Sequence, residues 1–157
     1  MAYIKLQHEG IEALQKKLNE RRENLVSALK TQLMQLGEAC VTYSKNNKGY
    51  KDRTGNLKNS ISYALFFDGE LVTSAIGNIP NPELSDNGQE GVNEAVESYA
   101  KANGVIAPKG YTLIVVAGMS YGKHVEDKGY NVLHLTKYYL QEQMGEIYKQ
   151  IIEGLNK

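Results

Sequence analysis

From Glu9 to Tyr43, apolar residues recur at every third or fourth position: Ile11, Leu14, Leu18, Leu25, Leu29, Leu33, Leu36, Cys40 and Tyr43. That period sets them on one face of a helix, and only Arg22 interrupts the stripe. The pattern predicts one long amphipathic helix over residues 9–44, free of proline, with Gly37 as its internal weak point. Glu12 and Lys16 add a favourable pair on its wet face. At ~1.5 Å per residue such a helix approaches 50 Å. A domain this small cannot easily cover that length, so one end is expected to project or to be covered by another subunit. Ahead of the helix, Ile4 and Leu6 alternate with polar neighbours, which permits a short opening strand.

After the helix the period shortens. Residues 45–51 are polar and read as a loop. Ser60 to Phe67 is β-favouring, Asp68-Gly69 is a two-residue hairpin signal, and Glu70 to Gly77 is the return strand. Asn78-Ile79-Pro80-Asn81-Pro82 breaks regular structure. Residues 78–110 form an acidic excursion holding one short helix, marked by Val92, Val96 and Tyr99 and stopped near Gly104. Tyr111 to Ala117 is a nearly unbroken apolar run, expected at the centre of the sheet. Met119 to Val125 is expected to continue the sheet after a bend at Gly118, so that residues 111–126 supply two strands. Residues 131–155 close with a second long helix striped by Leu140, Met144, Ile147, Ile151 and Leu155, its start capped by Asn131 or Thr136. The expected fold is a single α+β domain: an antiparallel sheet of about four strands packed against two long helices.

The 157 residues suffice for one core without staples, and a formal net charge of zero draws the chain neither to nucleic acid nor to an anionic membrane. The longest apolar run, Leu113 to Met119, falls far short of the ~20 residues a membrane helix needs. The single cysteine allows no internal disulfide and suits a reducing compartment. The eleven tyrosines, against two phenylalanines and no tryptophan, suit partly wet subunit contacts or ordinary sheet positions.

Candidate chemistry is sparse. No nucleotide-binding, nucleophile-elbow or zinc-helix pattern occurs, so no cofactor, metal or catalytic set is assigned. His124 and Glu126 would share one face of a strand, which leaves a small hydrolase-like or metal-dependent enzyme as an alternative. Cys40 sits on the apolar stripe and reads as a buried hydrophobe. Charge is more informative. Residues 45–58 hold Lys45, Lys48, Lys51, Arg53 and Lys58 against Asp52 alone, whereas residues 83–97 hold Glu83, Asp86, Glu90, Glu94 and Glu97 and no basic side chain. Such patches complement each other between identical copies, or are merely solvated. The basic stretch also leaves a DNA-binding accessory role open, although only Tyr50 interleaves it.

Two short motifs add a resemblance. Gly10-Ile11-Glu12-Ala13-Leu14 opens the first helix; Thr54, Gly55, Leu57, Ser60 and Ile61 form a Thr-Gly-x-Leu-x-x-Ser-Ile motif; Tyr121, Val125, Glu126 and Gly129 form a second. In this order, around a hairpin and before a closing helix, they resemble the minor tail or tail-completion proteins of long-tailed bacteriophages and prophages, also called head–tail connector or neck proteins. The chain departs from that pattern at Gly122, in one extra residue before Gly129, in the length of 78–110, and in Tyr130-Asn131-Val132-Leu133-His134-Leu135. The resemblance implies a structural virion protein, not an enzyme. It would be made in the host cytoplasm and form a ring of six copies between the head connector and the tail tube, and be monomeric when free. Thr54 is expected to cap a short turn anchored by Leu57 and Ile61. Glu126 is expected to accept hydrogen bonds from that turn or to pair with a neighbouring copy's Arg53. Lys48, Lys51, Arg53, Lys58, Glu90, Glu94 and Glu97 are the candidate interface charges.

Overall fold

The computed structural model describes Ala2 and residues 9–155. The opening strand expected at Ile4 and Leu6 lies outside the described residues. Helix α1 spans Glu9–Asn46, 38 residues, three residues longer than the stripe requires because Asn47 continues the backbone ladder to Tyr43. A one-turn helix α2 follows at Asn56–Asn59. Strands β1 (Ile61–Phe67) and β2 (Glu70–Ala75) form the expected hairpin. Its turn is made by Asp68 and Gly69 at φ 49° and 88°, the left-handed pair a tight hairpin needs. Helix α3 (Gly88–Ala102) fills the excursion, and β3 (Tyr111–Ala117) returns to the sheet.

The sheet has three antiparallel strands in the order β2-β1-β3. Two expectations fail here. Residues Met119 to Val125 do not form a fourth strand; helix α4 spans Gly122–Asp127 instead. β3 is also an edge strand rather than the central one. Its apolar run has another cause: α1 covers one face of the sheet and α3 the other. Along β1, Leu65 meets Leu33, Leu36 and Cys40 of α1, while Ala64 and Phe66 meet Val96 and Ala100 of α3. Gly37, expected as a weak point, is a notch for the Tyr63 ring, and a Cβ there would collide with it.

Helix α5 spans His134–Leu155 and runs antiparallel to α1. Ser44 and Thr136 share a buried hydroxyl hydrogen bond of 2.6 Å, and the Tyr43 and Tyr139 rings stack 4.3 Å apart. Farther along, Gln32 Nε2 donates to Gln150 Oε1 at 3.4 Å. Thr136 therefore packs and does not cap. None of the helices in the described residues is long and apolar enough to cross a membrane.

Cys40 is fully buried, and burial pushes its thiol from 9.0 up to about 11. The folded chain thus keeps neutral a group that the unfolded chain ionises earlier. Stability is intact below pH 9.0 and falls as the pH climbs toward about 11. Tyr50 is raised as well, first by burial and then by Asp52, so it adds to the alkaline loss. In Cys40→Ala the midpoint of urea unfolding should fall less steeply with alkaline pH than in the parent. Equal slopes would show that this thiol is not the titrating group.

Candidate functional site

The two motifs lie about sixty residues apart in sequence and form one unit in the fold. Gly55 takes φ 78° and opens α2. Asp52 caps the turn: its Oδ1 accepts from Gly55 N at 2.8 Å and its Oδ2 from Lys58 N at 3.1 Å. Thr54 Oγ1 accepts from Asn56 N at 3.2 Å, as expected for a cap, but the carboxylate holds the stronger position. Asn56 is fully buried and clamps Asn81 through both ends of its amide, donating to the carbonyl at 2.6 Å and accepting from the N–H at 3.0 Å. Asn81 Nδ2 in turn donates to Thr54 O at 2.6 Å. Gln89 repeats the device, bonding Ile79 N and Gly77 O, both at 2.9 Å. Ser60 Oγ closes α2 by donating to Leu57 O, and Ile61 is buried at the head of β1.

Leu57 points from α2 into a core of Ile79, Val92, Met119 and Val132, with Val125 packed beside it. A Cβ built on Gly122 would stand 3.2 Å from Leu57 Cδ1, so α4 approaches α2 closely. Tyr121 lies over the same turn. Its phenol is raised chiefly by burial and also by the Asp52 charge, against hydrogen bonds involving Thr54 and the Leu57 backbone that favour the ionised form.

Helix α4 ends in a Schellman motif: Tyr130 N bonds Val125 O and Gly129 N bonds Glu126 O, with Gly129 at φ 83°. The reversal aims Glu126 at the start of α5. Its Oε2 accepts from Val132 N at 3.0 Å and Leu133 N at 2.8 Å, and its Oε1 from His134 N at 2.9 Å. Asn131 Oδ1 takes Leu135 N at 2.9 Å, as expected of it, while its Nδ2 donates to Asn47 O at 2.6 Å. The carboxylate thus meets both the unpaired amides and the positive end of the α5 dipole. Glu126 bonds neither the α2 turn nor, within this chain, Arg53; its acceptors are occupied by its own α5.

The His124–Glu126 pair that the alternative reading needs is not formed. On α4, residues two apart leave the helix in different directions, and His124 is exposed while Glu126 turns inward. Among the described residues no group of three or more His, Cys, Asp or Glu is placed to hold a metal.

The candidate interface charges divide. Lys51 and Arg53 are exposed. Lys48 Nζ donates to Tyr50 O at 3.2 Å and stands 5.5 Å from the centre of its ring. Lys45 is lowered by burial first and by Lys58 second, which places those two basic groups together. Glu90, Glu94 and Glu97 are exposed on the outer side of α3, and Glu97 reaches Lys101 at 3.6 Å. Among the described residues the ion pairs are Lys101–Glu97 and Lys149–Glu146, each within one helix. No pairing joins the basic stretch to the acidic one inside this chain.

The first part of α1 is an unpartnered surface. Residues 10–24 are exposed throughout, and the stripe residues Ile11, Leu14 and Leu18 are 43%, 58% and 57% exposed. Compared with known families, curated proteins and solved structures, the chain matches none of them.

Proposed function

We propose that this chain is a structural virion protein that joins head to tail or completes the tail of a long-tailed phage or prophage. Copies form a six-membered ring between head connector and tail tube, after synthesis in the host cytoplasm. The chain works by contact and turns over no substrate. One observation carries the reading: fifteen consecutive residues of α1 stand clear of the domain with a helical apolar stripe exposed. A lone domain gains nothing from displaying such a stripe, whereas a subunit buries it on assembly. The motif polar groups fit the same reading. Asp52, Asn56, Asn81 and Glu126 are consumed in holding loops and helix ends. They stiffen a scaffold and leave no convergent reactive set in the unit that carries the resemblance.

The test is native mass across a concentration series, alone and with tail-tube subunits. Mass should rise toward a closed multiple of the protomer, and tail-tube subunits should shift that rise to lower concentration. Turnover of a metabolite that disappears in His124→Ala would overturn the proposal.

A further inference from the structure

The two edges of the sheet differ. β2 is guarded: its register with β1 shifts between Leu65 and Phe66, and it opens on the charged Glu70. β3 pairs with β1 without a break, from Ile61↔Ala117 to Phe67↔Tyr111, and carries neither charge nor proline. Gly118 N donates to Ser60 O at 3.1 Å and Asp68 N to Gly110 O at 3.0 Å, which turns the even-numbered residues of β3 toward β1. The N–H and C=O groups of Leu113, Val115 and Ala117 therefore point off the free edge, without partners among the described residues.

Each face of that edge opens into a cleft. On the α1 side a cleft of about 260 Å³ is lined by Val115 together with Leu133, Thr136, Lys137 and Leu140. On the α3 side a cleft of about 500 Å³ is lined by Val116, Ala117 and Met119 together with Glu94, Ala95 and Tyr99. A strand laid beside β3 would send successive side chains alternately into the two.

The chain holds a segment of matching pattern. In Tyr3-Ile4-Lys5-Leu6-Gln7, Ile4 and Leu6 alternate with polar neighbours. Its own β3 is out of reach. Leu33, Leu36 and Cys40 of α1 lie over the sheet, Val26 accepts from the Tyr111 hydroxyl at its end, and the residues before Val26 lead away. At ~1.5 Å per residue Glu9 stands about 26 Å beyond Val26. Residues 1–8, fully extended, span at most about 28 Å, so they would be used up in returning to Tyr111 and could not lie along Leu113 to Ala117.

Resting on the assembly reading above, we infer that residues 3–7 of one copy add as a fourth strand to β3 of the next. Ile4 and Leu6 enter the cleft at Val115, Leu133 and Leu140, and Lys5 enters the other, beside Glu94. A slip of one residue would set Lys5 against Lys137, so charge selects the facing. Main-chain hydrogen bonds to Leu113, Val115 and Ala117 hold the strand. Every copy donates one segment and accepts another, and such heterologous contacts propagate around a ring.

The experiment reads amide exchange residue by residue on the full chain across a concentration series. Ile114 and Val116 should be protected throughout, because their amides face β1. Leu113, Val115 and Ala117 should exchange fast when dilute and at least about tenfold more slowly once copies associate. Ile4→Asp/Leu6→Asp should abolish that protection and weaken self-association by about tenfold or more, with an unchanged melting temperature. Protection already present in the dilute monomer would show the edge closed within the chain and overturn the inference. Protection that survives in the double variant would assign the edge to another segment and overturn it as well. Copies that associate by native mass while the three amides stay fast sink this strand and leave the assembly reading standing. A chain that stays monomeric at every concentration, with and without tail-tube subunits, sinks both.

Discussion

Replacing Leu57 by alanine is expected to destabilise the fold by about 3 kcal/mol, the middle of the range for a buried leucine that leaves a cavity. Leu57 is 2% exposed and belongs to a helix of four residues, so α2 itself has almost no strength to lend. The side chain holds five pieces of chain at one point: α2 itself, Ile79 from the segment after β2, Val92 of α3, Met119 after β3 and Val132 before α5. The close approach of Gly122 leaves α4 resting directly on it. The neighbours come from separate elements whose backbones are pinned by Asn56, Asn81 and Gln89, so they cannot collapse into the space. Urea unfolding should show a lower midpoint with an unchanged slope, and a melting temperature roughly 6–12 °C lower. Leu57→Met, nearly volume-conserving, should cost under about 1.5 kcal/mol. A loss below about 1 kcal/mol in the alanine variant would show that the site relaxes and that the motif leucine is not an anchor.

The sequence is legible where one physical rule acts over a long stretch. The α1 stripe repeats over nine apolar positions, so its helix and its excess length both follow from period and rise. Asp68-Gly69 names the hairpin because few residues accept two left-handed conformations in succession. Legibility fails where the deciding partner is distant. Met119, Tyr121 and Val125 fall at even spacings like one face of a strand, and a six-residue helix is too short for its period to show. The usable signal is Gly129, a helix C-terminal stop, which argues for a helix ending at Asp127 with Lys128 as its cap rather than a strand. β3 reads as central because its residues are apolar on both faces, yet helices rather than strands provide the cover.

The capping residues divide along the same line. Asp52 stands three residues before Gly55, a spacing local rules can flag, although the basic neighbourhood makes it look like a stray counter-charge. Asn56 and Asn81 bond across 25 positions, and no local pattern pairs them. Glu126 caps a helix whose first residue lies eight positions downstream, beyond a left-handed glycine. Standard capping rules search within three residues and cannot find it.

Glu126→Ala is expected to cost about 3 kcal/mol, because three amide hydrogen bonds to one carboxylate are lost together and the bonds to a charged acceptor are the strong ones. Val132 is buried, so at least its N–H has limited access to replacement water. The damage should be local. Amide exchange at Val132, Leu133 and His134 should accelerate more than exchange in β1, since the first turn of α5 loses its acceptor while the sheet keeps its ladder. Glu126→Gln retains an oxygen but loses the charge that faces the helix dipole, so it should cost roughly half as much. Arg53→Glu provides the contrast. Arg53 is exposed and unpaired among the described residues, and its reversal should change stability by less than about 0.5 kcal/mol. A large loss in Arg53→Glu, or a negligible one in Glu126→Ala, would mean that this carboxylate serves a partner and not the helix it touches. The expected ordering instead separates two jobs on neighbouring parts of the surface. Glu126 fixes the first turn of α5, whereas Arg53 holds no helix end.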